Sequence, residues 1–183
     1  MLKEELGNQV LAILFAAEEP VTAAQLGEVF TDLPEEELTG TLNHLCEGFQ
    51  NLIPSLEVRK VAGGYRITTK PEYHDVIRSY LKTRPAAKLS LAALETLAVI
   101  AYRQPITLPE IMEIRGIKNT STIQTLLEKR LIETRGRRKV VGRPIMYGTT
   151  REFLLHFGLS DLMDLPTLEE FQELLEDRSQ PPG

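Results

Sequence analysis

Side chains able to do covalent or metal chemistry are few and scattered in this sequence. His44, His74 and His156 are the only histidines and Cys46 the only cysteine, and no spacing among them suits a metal site. His44 and Cys46 stand two positions apart, so on a helix they face different ways, and both are read as structural. Neither Gly63-Gly64 nor Gly136 leads into the Gly-Lys-Ser/Thr ending of a phosphate loop. The acidic runs lack the Asp-x-Asp-x-Asp-Gly order of a calcium loop. No catalytic residue, cofactor or metal is expected, and no enzyme. What remains is charge. Arg135, Arg137, Arg138, Lys139 and Arg143 crowd around Gly136, Gly142 and Pro144. Cations in such a loop can track a phosphate backbone, hold an acidic partner, or sit solvated and keep a hairpin edge from pairing.

The elements that carry this cluster must be sought in 183 residues, room for one large domain or two small ones. At 42% hydrophobic and 26% charged, the chain can build a core. Its net charge of −5, from 21 basic and 26 acidic residues, argues against a protein that coats nucleic acid. Resolved along the chain, the net values are −5 over 1–86, −1 over 87–114, +8 over 115–151 and −7 over 152–183. A basic island thus lies between acidic flanks. A lone cysteine fits a reducing compartment. The acidic start at Glu4 and Glu5 is unlike a signal peptide, and Leu91–Tyr102 is shorter than the roughly 20 residues of a membrane span. A soluble cytoplasmic protein with no membrane contact is expected.

Periodicity repeats one plan twice. Leu6, Val10, Ile13 and Leu14 stripe a first helix that stops at Pro20. Thr22 to Gln25 reads as a capping box opening a second helix over Leu26, Val29 and Phe30. A third begins near Pro34 with Leu38, Leu42, Leu45 and Phe49 on its apolar face. Leu56–Val61 and Tyr65–Thr69 follow as a hairpin turning at Gly63-Gly64, then a closing helix with Tyr73, Val76, Ile77 and Tyr80. The second copy places Leu91, Leu94, Leu97, Ala98 and Ala101 on a helix stopped at Gln104-Pro105. Next come a short helix opened by a capping box from Thr107 to Glu110 and running through Ile111 and Ile114, a helix with Ile123, Leu126 and Leu127, strands Leu131–Arg137 and Ile145–Thr149, and a helix with Phe153, Leu154 and Phe157. Pro20-Val21-Thr22 recurs as Pro105-Ile106-Thr107, 85 residues on, which favours duplication. Three helices and a two-strand wing define a winged helix. The expected fold is therefore mainly α with small β-hairpin wings, as two tandem winged-helix domains. Their bounds are 1–82 and 90–158, with a linker at 83–89 and an acidic tail at 159–183.

The third helix of the first copy has no Lys or Arg from Pro34 to Gln50 and carries Glu35, Glu36, Glu37 and Glu47, so it is unfit for phosphate. Leu38, Leu42, Leu45 and Phe49 are its candidate contacts with a second copy. The second copy offers Lys118, Asn119, Gln124, Lys129 and Arg130 beside the basic wing, opposed by Glu128. In the tail, Thr167 to Glu170 reads as another capping box, ahead of a stripe of Leu168, Phe171, Leu174 and Leu175 that needs a surface to cover.

Three stretches are specific enough to suggest a family: Glu95-Thr-Leu-Ala-Val-Ile-Ala-Tyr-Arg-Gln-Pro-Ile-Thr107, Glu113-Ile-Arg-Gly-Ile117 and Gly142-Arg-Pro-Ile-Met-Tyr-Gly-Thr-Thr150. With them the chain, over about 1–175, resembles the ScpB family of segregation and condensation proteins, accessory subunits of bacterial SMC complexes. The resemblance implies two winged helices, a homodimer made through the first, and binding of the kleisin ScpA. ScpA bridges the SMC heads, so SMC would be reached indirectly and the protein would be nucleoid-associated. Tyr102, Arg103, Tyr147, Leu168, Phe171 and Leu175 are the candidates for ScpA or tail docking. Two departures stand out. Relatives usually carry glycine where this chain has Arg130, which implies local strain or a different helix end. Relatives also often place an acid in the wing, where this chain has Arg137-Arg-Lys-Val-Val141. The extra charge keeps open weak non-specific DNA contact, and a DNA-binding regulator working through wing 135–143, as an alternative.

Overall fold

A computed structural model describes residues 3–81, 89–116, 120–167 and 170. It is mostly helical with two small antiparallel sheets. Helix α1 (Lys3–Ala16) ends before Pro20, and the Thr22 capping box with Gln25 starts α2 (Ala23–Gly27). Helix α3 (Glu35–Leu52) opens after Pro34 with three glutamates in its first turn, where the helix dipole favours them. Strands β1 (Leu56–Val61) and β2 (Gly64–Thr69) pair from Leu56–Thr69 to Val61–Gly64. The two-residue turn is therefore Ala62-Gly63, with φ of 49° and 75°, not Gly63-Gly64. Both residues are left-handed, as a tight hairpin turn of this hand requires. Gly64 belongs to the strand for a different reason: a Cβ there would meet the backbone carbonyl of Pro20 at 2.9 Å.

Leu6, Val10, Leu14, Leu26, Leu38, Leu42, Val58 and Tyr65 form one core. A 3-10 turn (Pro71–Tyr73) leads into α4 (His74–Leu81), which buries none of its side chains. Of the stripe Tyr73, Val76, Ile77 and Tyr80 expected to close this half, Val76 and Tyr80 stand in solvent, as does Leu81 beside them. Most of the proposed linker, residues 83–88, lies outside the described residues, and Leu89 packs on the second core.

That second core gathers Leu97, Ile100, Ile111, Ile123, Leu126, Ile132, Tyr147 and Phe153. Its elements are α5 (Leu91–Arg103), β3 (Ile106–Thr107), α6 (Leu108–Arg115), α7 (Ser121–Glu128), β4 (Ile132–Arg137), β5 (Ile145–Thr149) and α8 (Arg151–Phe157). The sheet order is β3-β5-β4. Two-residue β3 was invisible to periodicity, and it pairs Ile106 with Tyr147. Val21 bridges Tyr65 in the first half in the same way. Thr22 and Thr107, the capping residues 85 positions apart, share φ −91° and ψ 159°. The recurrence of Pro-Val-Thr as Pro-Ile-Thr thus carries the same threonine conformation and the same strand pairing beside it.

Helix α5 departs from its expected face. The buried residues are Ala93, Thr96, Leu97, Ile100 and Ala101, while Leu91, Leu94 and Ala98 face solvent. The helix is apolar on two sides, so spacing alone could not choose between them. Thr96 is tolerated inside because its hydroxyl donates to the Ala92 carbonyl at 2.8 Å. The two halves touch directly. Ala62 and Gly63 N–H donate to the carbonyls of Leu159 and Ser160 at 2.8 and 2.9 Å, and Arg151 pairs with Glu19 at 2.9 Å.

Candidate partner-binding site

Two of the motif-bearing stretches come together at the junction of α5, β3 and β5. Gln104, capping α5, is the hub. Its Nε2 donates to the Ala101 carbonyl at 3.1 Å and to Thr149 Oγ1 at 2.9 Å, and its Oε1 accepts the Thr149 N–H at 2.8 Å. Gly148 makes room for it, since a Cβ there would lie 2.8 Å from Gln104 Oε1 and 2.9 Å from Arg135 Cγ. Spacing could not reveal this role, because the bonds span 45 positions of sequence.

The basic wing projects from this junction. Register shifts between Thr134 and Arg137, with Gly136 at φ 85°, so β4 bulges and its side chains are re-aimed. Arg135, half exposed, donates to the Thr149 carbonyl at 2.9 Å and pairs with Glu133 at 2.9 Å. Arg138 reaches Glu110 at 2.5 Å and the Pro105 carbonyl at 3.1 Å. Arg137 donates to the Arg143 carbonyl at 3.0 Å. Among the described residues, Arg137, Lys139 and Arg143 remain exposed without an ion-pair partner. The tip between them is apolar, with Val140 and Val141 in solvent. Of the five cations in the wing, folding pairs two, Arg135 and Arg138, with carboxylates.

Glu110 is held at the base of the wing by Thr107, whose hydroxyl and N–H donate to Oε2 at 2.6 and 2.9 Å. These bonds, with Arg138 nearby, hold its carboxyl below the usual carboxylate range. On α7, Gln124 donates to Glu128 at 3.1 Å, and Lys118 and Asn119 lie outside the described residues.

The remaining predicted site residues divide clearly. Leu38 and Leu42 are wholly buried, and Leu45 and Phe49 nearly so, in their own domain. They are core and cannot face a second copy, which corrects their assignment as dimer contacts. Tyr147 is likewise buried, in the sheet between Ile106 and Thr134, and is no surface contact. Tyr102 is half exposed, and its hydroxyl donates to the Pro166 carbonyl at 2.6 Å. Arg103 beside it is exposed. Leu168, Phe171 and Leu175 lie outside the described residues. Cys46 packs against the first core, and burial raises its thiol pKa, in keeping with a structural role.

Among the described residues there is no cluster of three potential metal ligands, and no helix long and apolar enough to cross a membrane. The molecule is thus a mostly helical protein with small antiparallel sheets, whose distinctive surface is a charged hairpin beside an exposed helix face. A family model described as segregation and condensation complex subunit ScpB matches residues 8–168, and the chain belongs to that family. A segregation and condensation protein B of Desulforamulus reducens is 44% identical over 93% of this chain and 93% of its own length. One from Myxococcus xanthus is 42% identical over 95% of this chain. The chain spans about half, 52%, of that longer relative. A crystal structure of ScpB from Mycobacterium tuberculosis is 30% identical, covering 87% of this chain and 98% of that one, with a TM-score of 0.42.

Proposed function

We propose that this chain is a non-enzymatic scaffold of two tandem winged helices, a homodimer that binds the kleisin ScpA and through it SMC. It would act in chromosome condensation and segregation, in the cytoplasm at the nucleoid. The observation that carries this reading is the β3–β5 junction. Two motif-bearing stretches meet there, Ile106 against Tyr147 and Gln104 against Thr149, with Tyr102 and Arg103 exposed at the end of α5 and the charged wing between β4 and β5. We place self-association elsewhere than on the apolar face of α3, which is buried. Helix α4 has eight residues, too few to be stable alone, and leaves Val76, Tyr80 and Leu81 uncovered. Every copy carries the same helix, so α4 against α4 makes a self-complementary contact. Light scattering with and without ScpA tests both claims. Two copies of this chain per ScpA are expected; a monomer that ignores ScpA refutes the scaffold.

The exposed cations Arg137, Lys139 and Arg143 favour a second reading, weak sequence-independent DNA contact. Three free cations per wing correspond to a log–log salt slope of about −3. R137E combined with K139E should abolish such binding, and no binding to any duplex at low salt removes the reading.

A further inference from the structure

A groove of about 640 Å³ runs between α1 and one flank of α3, within the range of about 300–1,000 Å³ that binding clefts occupy. Glu4, Asn8 and Leu11 line it from α1, and Glu37, Gly40 and His44 from α3. At Gly40 a Cβ would meet nothing within 4 Å, so the space is open there. Glu4 and Glu37 are exposed, and among the described residues neither has an ion-pair partner. At about 100° per residue, Glu4, Asn8, Leu11 and Phe15 share roughly 60° of the surface of α1. Phe15, 81% exposed, therefore extends the apolar part of this wall one turn beyond Leu11. Such a groove suits an occupant that is apolar at its centre and cationic at its edges.

The chain itself displays one. Val140 and Val141 stand in solvent at the wing tip, between the unpaired Lys139 and Arg143. The tip is held in shape. Arg143 N–H donates to the Val140 carbonyl and Arg138 N–H to the Pro144 carbonyl, both at 2.9 Å, and Arg137 donates to the Arg143 carbonyl at 3.0 Å. A loop already fixed loses little freedom on binding.

We propose that the wing tip of one copy docks in the α1–α3 groove of a second copy. Val140 and Val141 would meet Leu11 and Phe15, and Lys139 and Arg143 would meet Glu4 and Glu37. Net charges of −5 over 1–86 and +8 over 115–151 favour this pairing over groove against groove or wing against wing. The two surfaces differ, so the contact is heterologous, and a pair of copies closes it when each wing enters the other's groove. The cations are those of the DNA reading; the valines between them are what assigns them to a protein groove, because they need an apolar floor. The inference goes beyond the scaffold reading and does not rest on it, since neither surface includes α4.

Two full-length chains in a C46S background test it, one carrying V141C and the other N8C and a size tag. Mild oxidation of the mixture should join the two different chains. The rate should fall at least about tenfold in about 1 M salt, where charges are screened beyond about 3 Å. K139E with R143E on the first chain should lose the crosslink, and adding E4K with E37K on the second should restore it, an outcome that misfolding cannot give. No mixed disulfide, or V141C joined to V141C in its place, overturns the proposal, as does a crosslink indifferent to salt and to charge reversal. A chain carrying both N8C and V141C that closes on itself at high dilution puts the wing in its own groove and overturns it too. Absence of the mixed disulfide, together with salt-sensitive duplex binding that K139E with R143E removes, gives the tip to nucleic acid instead.

Discussion

Replacing Arg130 by glycine should make the protein more stable, although it deletes a side chain. Helix α7 ends with Arg130 at φ 56°, in the left-handed region. Arg130 N–H donates to the Leu127 carbonyl at 2.9 Å and Leu131 N–H to the Leu126 carbonyl at 3.0 Å, the two bonds of a Schellman cap. Leu126 and Leu131, which flank the cap, are both buried, so packing imposes a conformation that arginine disfavours. A left-handed L-residue costs about 1–2 kcal/mol. Glycine would remove that cost but loosen the unfolded chain by about 0.4–1 kcal/mol. The expected net gain is about 0.5–1 kcal/mol. For a chain of this size it raises Tm by about 1–4 °C. Urea unfolding followed by circular dichroism should show a higher midpoint at unchanged slope. R130A is the control: it removes the charge and keeps the Cβ, so it should not share the gain. Destabilisation by R130G, or an equal gain from R130A, would refute the backbone explanation.

Q104A leaves the buried Thr149 N–H without its acceptor and should cost about 1–3 kcal/mol in the same unfolding measurement. G64A drives a Cβ against the Pro20 carbonyl and should cost about 1–3 kcal/mol, with faster amide exchange at Val21 and Tyr65 where the bridge is pried apart. Glu110 has a depressed carboxyl pKa in the folded state, so its stabilising contribution is present above the ordinary glutamate pKa and is lost as pH falls through the lower folded value. E110Q should therefore be less stable than wild type at neutral pH, with the gap closing in acid; a gap independent of pH would show that the charge is not what matters.

Features written over short spans of sequence were legible. Both hairpins emerged from period-two runs, and the Thr22, Thr107 and Thr167 capping boxes from residues three apart. Features that depend on a distant partner were not. The face α5 buries is chosen by what the rest of its half presents to it, among them Ile111, Leu126 and Tyr147. Arg138 is neutralised by Glu110, 28 positions earlier, so a count of cations overstated the wing's free charge. The stripe Leu38, Leu42, Leu45 and Phe49 was correct as an apolar face, but an apolar face does not say whether its own domain or a partner covers it. Arg130 marks the reverse case: an arginine where glycine was expected stands at a left-handed φ of 56°.

The contact between the two halves at Ala62 and Gly63 is made wholly by main chain, two successive N–H groups on two successive carbonyls. Such a clasp does not read side chains. It is indifferent to most substitutions at Leu159 and Ser160 and sensitive to spacing, because adding or removing one residue after α8 would present the carbonyls in the wrong phase. The short run from Gly158 to Ser160 therefore acts as a ruler between the halves, and variation there should be tolerated in letter but not in length.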